Sequence, residues 1–206
     1  MNPRKIRDAA EINSRLCFKK GATMNLKKII SLLVCGSLLF SPVSFAKSAR
    51  EIDASVDTAY TRFEREVPGA KQLLKQSHGF LIFPSVIKAG IGIGGEYGEG
   101  ALLVRGAKHN EYYNTISGSI GFQLGGQVRS VYLLFMNKQA LENFRRNDGW
   151  KAGVDGSVTL VELGADGSVD TTKANQPILG FILGQKGLMY NLTLEGSKFN
   201  RIYPEK

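Results

Sequence analysis

The chain has 206 residues, 24 of them glycine, with 27 Lys+Arg against 18 Asp+Glu and a formal net charge of +9. That charge is unevenly placed: residues 1–46 hold 8 Lys+Arg and 2 Asp+Glu, and the remaining 160 hold 19 and 16, a net of +3. Nucleic-acid binding therefore loses most of its electrostatic support. Both cysteines, Cys17 and Cys35, also lie in the first 46 residues, so the rest of the chain has no disulfide, thiol nucleophile or thiolate metal ligand.

Residues 1–23 are basic and polar without sustained periodicity, and read as an upstream extension ahead of a start at Met24. Residues 24–46 read as a secretory signal peptide. Lys27 and Lys28 supply the positive region, Ile29 to Phe40 the apolar run, and Ser44-Phe45-Ala46 the small residues a signal peptidase accepts. The apolar run has 12 residues, whereas a spanning helix needs roughly 20. Val34 is too bulky for the position before a lipid-modified Cys35. Cleavage is expected between Ala46 and Lys47, with residues 47–206 released to the periplasm as a single domain large enough for a real core.

Beyond Lys47 the chain opens with helix. Ile52, Val56, Ala59, Tyr60, Phe63 and Val67 recur at helical spacing, and Pro68-Gly69 closes the run. A short helix is expected over Ala70 to Gln76. Strands are expected at Phe80–Phe83, Val86–Gly94, Ala101–Arg105 and Tyr112–Leu124, with a turn at 96–100. Val131–Met136 is almost wholly apolar and belongs inside a sheet. Asn137 reads as an N-cap for a short helix presenting Ala140, Leu141 and Phe144. Asp166-Gly167 marks a hairpin turn, a four-residue loop at 184–187 joins Ile178–Leu183 to Leu188–Leu194, and Lys198–Tyr203 forms a last strand. The expected class is α+β: N-terminal helices, then a strongly curved, mostly antiparallel and barrel-like sheet with one inserted helix.

The catalytic inventory is thin. His78 and His109 are the two histidines, and neither H-E-x-x-H nor G-x-S-x-G occurs. No enzyme activity, cofactor or metal is expected. Gly90-Ile91-Gly92-Ile93-Gly94-Gly95 formally fits G-x-G-x-x-G, but no helix pattern follows to meet a pyrophosphate. The alternation reads instead as a strand with one branched apolar face and one bare face. A bare face allows close packing or leaves a groove, and Ser117, Gly118, Ser119 and Gly121 repeat the theme. Asp155-Gly156 and 166–170 lack EF-hand spacing and serve as turns. Asn191-Leu192-Thr193 matches a glycosylation triplet within an expected strand and is read as chance.

Several separated blocks, in order, resemble the SYLF-domain proteins, most closely their bacterial exported branch. They are His78-Gly79-Phe80-Leu81-Ile82-Phe83-Pro84, Lys88 through Ala101, Tyr112 to Leu124, Leu133-Leu134-Phe135-Met136, Gly149-Trp150, and Asn175 through Tyr190. The resemblance covers about Ala54 to Tyr203. It implies a lipid-binding domain without known catalysis; eukaryotic relatives bind phosphoinositides, some bind actin, and some engage membranes through a basic amphipathic helix at the domain's start. This sequence departs there: its first helix is slightly acidic, so its apolar face is expected against the sheet rather than a membrane.

The resulting expectation is a non-catalytic protein that binds phospholipid or a membrane surface of the envelope, the inner face of the outer membrane being a candidate. Lys71, Lys75 and Lys88 are the candidate head-group ligands, and Phe80 and Phe83 the candidate acyl-chain contacts. An envelope protein-interaction module is the alternative. A small outer-membrane β-barrel is less favoured, because the chain has one Trp and no terminal aromatic residue.

Overall fold

In the computed structural model the described residues are 47–161, 175–184, 187–188 and 194–205. The expected signal segment, the expected Asp166-Gly167 hairpin and the 191–193 triplet lie outside them. Helix α1 (Ala49–Glu66) starts at a capping box: Ser48 Oγ accepts from the Glu51 N–H, and the Glu51 carboxylate accepts from the Ser48 N–H at 2.8 Å. Pro68 biases Val67 to extended backbone and ends the helix, and Gly69, at φ +73°, turns the chain into α2 (Ala70–Gln76).

Two long strands follow, β1 (Gly79–Val104) and β2 (Glu111–Phe135), then α3 (Lys138–Arg146). Asn137 caps α3 by accepting from the Ala140 N–H at 2.7 Å. Short strands β3 (Trp150–Lys151) and β4 (Thr159–Leu160) precede β5 (Ile178–Gly184), β6 (Gly187–Leu188) and β7 (Lys198–Ile202). Among the described residues these form one seven-stranded sheet in the order β3-β7-β2-β5-β4, with β1 along β2 and β6 on β5. All pairs are antiparallel except β4 with β5. The class is α+β with a strongly curled sheet, as expected from the sequence.

β2 organises the sheet. One edge pairs with β1 from end to end; the other pairs first with β7 (112–116) and later with β5 (130–135). Alternation along the strands separates two cores. On one face α1 buries Ile52, Val56, Ala59 and Phe63 against Phe80, Ile82, Tyr132, Leu134 and Phe181. The Phe63 ring lies 5.0 Å from Phe80 and from Tyr132. The opposite face carries Leu81, Phe83, Val86, Leu102 and Leu133, closed by α3 and Trp150. There Phe144 stands 5.0 Å from Tyr113 and from Phe135, and 5.4 Å from Trp150.

The β1–β2 ribbon is longer than the sequence suggests, and it doubles back. The segments expected as separate strands are continuous, and 96–100, expected as a turn, is strand. Arg105 N–H donates to His78 O at 3.2 Å, so the two ends of β1 meet. A Cβ on Gly98 would sit 2.8 Å from Val86 Cγ2, and one on Gly100 would overlap the Ile82 carbonyl and the Phe83 ring. Glycine at 98 and 100 thus marks a close crossing of β1 over itself rather than a turn. The bend lies where the register shifts between Gly90 and Gly92, with three residues of β2 (122–124) opposite one of β1. At 184–187 the ladder continues through Gly184↔Gly187, leaving two positions, not four, between the paired residues.

Candidate functional site: the distal half of the bent ribbon

Near α1 both faces of the ribbon are apolar and covered. Toward the bend the pattern inverts. Ile87 pairs with Val128 on one limb and Tyr97 with Ile116 on the other, and these four side chains are 45–54 % exposed. They lie on the outer faces, the sides opposite Val86 and Gly98. The inner faces at the same level carry charge: Glu96 on one limb accepts from Lys88 at 3.3 Å and from Arg129 Nη2 on the other. Arg129 is buried, with only 3 % of its side chain accessible, and its Nε–H has no hydrogen-bond partner among the described residues.

This arrangement follows from the sequence locally. Ile87-Lys88 and Val128-Arg129 alternate as a strand requires, and the register sets Ile87 across from Val128 while placing Lys88 and Arg129 on the other side. Folding the ribbon on itself turns that polar side inward. Two cations facing one carboxylate fix the limbs together, since a buried carboxylate needs opposite charge beside it. Tyr97 donates to Glu99 at 2.7 Å, and burial followed by that neighbouring carboxylate pushes its phenol up to about 12. It therefore remains a neutral, amphipathic ring on the outer face.

The glycine-faced segments lie side by side, with Gly90↔Gly125, Gly92↔Gly121 and Gly95↔Gly118 as cross-strand partners. A Cβ at Gly118 would meet nothing within 4 Å, and at Gly95 its nearest neighbour would be Ser117 O at 3.7 Å. The surface is open there, on the outer side that Tyr97 and Ile116 share, in contrast to the crossing at Gly98 and Gly100.

The five candidate lipid contacts do not gather into one place. Lys71 and Lys75 are exposed on α2, at the end where Arg105 Nη2 donates to the Leu74 and Lys75 carbonyls. Lys88 belongs to the charge cluster in the distal half of the ribbon. Phe80 and Phe83 are both buried, in the two different cores on opposite faces of the sheet. Sequence reasoning missed Glu96, Arg129 and the two exposed pairs. Ile-Lys and Val-Arg alternation was their signal, but it does not say which face will be outside.

Other concave surface offers less. A groove of about 470 Å³ beside α3 mixes polar and charged groups such as Asn137, Asn143, Arg146 and Asp155 with Trp150 and Ile178, a poor match for an acyl chain. Asp155 accepts from the Lys151 N–H at 2.7 Å, confirming its turn duty. Among the described residues no group of three or more His, Cys, Asp or Glu is placed to hold a metal ion, and no helix is long and apolar enough to cross a membrane.

Residues 116–202, which include β2 from Ile116 onward and the sheet strands that follow, match the family model described as Ysc84, Las17-binding protein actin regulator. Residues 116–202 are thus similar to the Ysc84 (SYLF) domain. It is also similar to a protein of Aeromonas veronii named Beta cell expansion factor A, 28 % identical over 155 residues, which is 75 % of this chain and 58 % of that protein. The chain thus spans less than two thirds of that relative's length. The SYLF match includes one half of each exposed pair, Ile116 and Val128, together with Arg129.

Proposed function

We propose that this SYLF protein is a non-catalytic, periplasmic membrane-binding protein of the cell envelope, and that it meets the bilayer with the outer faces of its bent ribbon. The observation that carries the reading is the inverted pattern: cross-strand apolar pairs Ile87–Val128 and Tyr97–Ile116 face outward, while Lys88, Glu96 and Arg129 face inward. Solvent disfavours that arrangement and a lipid interface favours it, because apolar side chains left in water forgo roughly 1.5–3 kcal/mol each on full burial. A tyrosine on such a face suits the headgroup level. The SYLF domain is consistent with lipid or membrane binding, and the leader-like residues 24–46 support export.

Sedimentation with phosphatidylethanolamine–phosphatidylglycerol vesicles tests the reading. The protein is expected in the vesicle pellet at low salt, and Ile87→Ser with Ile116→Ser in the supernatant. Wild-type protein that stays in the supernatant with every lipid mixture, yet retains discrete envelope proteins after cross-linking, would establish the interaction-module alternative instead.

A further inference from the structure

The charge cluster inside the ribbon is not neutral. Among the described residues Lys88 and Arg129 share a single carboxylate, Glu96, which leaves an excess of one positive charge. Within that cluster the Arg129 Nε–H is buried and lacks an acceptor among the described residues. A buried guanidinium donor without a partner is costly, and the group best able to supply an acceptor and the missing charge is a second oxyanion. Arg and Lys together suit phosphate in particular, the first as a fork and the second as a point charge.

We propose that Arg129 and Lys88 form an oxyanion site for a phosphate group, which Glu96 occupies until a phosphate displaces it. The site's position suits that role. Lys88 stands about three residues, or about 10 Å, short of the bend. Arg129, opposite Val86, stands about two residues, or about 7 Å, farther back, so both cations lie at the level of the exposed pair Ile87–Val128 that the membrane-binding reading sets against the bilayer. Ile87 and Val128, each a chain neighbour of one cation, would lie against lipid on the outside. The lipid source of the phosphate rests on the membrane-binding reading above; the oxyanion site itself does not.

Arginine Nε–H groups are directly visible in the NMR spectrum of the full chain labelled with ¹⁵N-arginine. Titration with inorganic phosphate, and separately with short-chain phosphatidylglycerol below its micelle concentration, is expected to move the Arg129 Nε–H signal saturably. Sodium chloride at matched ionic strength is expected to leave it in place. Saturation by the lipid at about tenfold lower concentration than by phosphate assigns the source to a headgroup; equal concentrations assign it to free phosphate. A signal unmoved by both overturns the site. Glu96→Gln removes the internal competitor and is expected to tighten phosphate binding about tenfold, whereas unchanged or weaker binding overturns the displacement. Lys88→Ala keeps the Arg129 reporter and is expected to weaken phosphate binding about tenfold, whereas unchanged binding overturns the shared site; should that variant not fold, the wild-type titration still decides. Vesicle sedimentation separates the two claims. Wild-type protein that pellets with vesicles while its Arg129 signal ignores both phosphate probes refutes the oxyanion site alone. Protein that fails to pellet yet shows the phosphate shift refutes membrane binding alone.

Discussion

Gly100 and Gly118 lie in the same ribbon and differ by what a single methyl would meet. At Gly100 it would overlap the Ile82 carbonyl and the Phe83 ring; at Gly118 it would enter open space. Gly100→Ala is therefore expected to destabilise the fold by about 3 kcal/mol or more, because backbone and an aromatic core must both shift. Gly118→Ala is expected to be near neutral, within about 0.5 kcal/mol. Urea denaturation of both variants checks the pair; equal losses would contradict the crossing. At the same scale, Phe144 touches the rings of Tyr113, Phe135, Trp150 and Phe199. Phe144→Ala should cost about 3–5 kcal/mol, seen as a lower denaturation midpoint with an unchanged slope.

At the scale of elements, α1 is tied to the sheet by burial and by one charged junction. Arg62 donates from Nε to Glu66 at 3.1 Å and from Nη2 to the Gly184 carbonyl at the end of β5. The Arg62 hydrogen bond holds the Glu66 carboxyl below its ordinary value near 4.5. A depressed carboxylate contributes stability that is full above the ordinary value and lost as pH falls through the folded one. Thermal unfolding followed from pH 7 downward should show Glu66→Gln less stable than wild type above about 4.5, with the two curves converging at lower pH. Parallel curves across the whole range would show that the junction contributes nothing through titration.

The helices were legible in the sequence because periodicity and caps agree: Ser48 and Glu51 mark the start of α1 and Asn137 the start of α3. The interior place of 131–135 was legible from its unbroken apolar run. The length of β1 was not. Glycine at 90–100 has the composition of a turn, and its use as a close crossing depends on a contact between residues about eighteen apart, such as Gly100 and Ile82. The site was hidden for a related reason. Lys88 was singled out, but its partners Glu96 and Arg129 come together only when the ribbon folds, and the phenylalanines chosen as lipid contacts proved to be core.

At the scale of the whole molecule, one half of the ribbon holds the fold and the other half is free to act. Both cores lie on the near half, with α1 on one face and α3 and Trp150 on the other. Substitutions on the outer faces of the distal half should therefore separate function from stability: Ile87→Ser with Ile116→Ser is expected to shift the thermal midpoint by less than a few degrees while releasing the protein from vesicles. The central claim is tested most directly by a single label on that face. With Cys17 and Cys35 replaced by serine the chain has no cysteine, so Ile116→Cys carries one nitroxide, and Lys138→Cys on exposed α3 serves as the reference. With phosphatidylethanolamine–phosphatidylglycerol vesicles bound, the nitroxide at 116 should become accessible to oxygen and shielded from a water-soluble nickel relaxant, while the one at 138 stays in water. A label at 116 that remains in water on vesicle-bound protein would contradict the account.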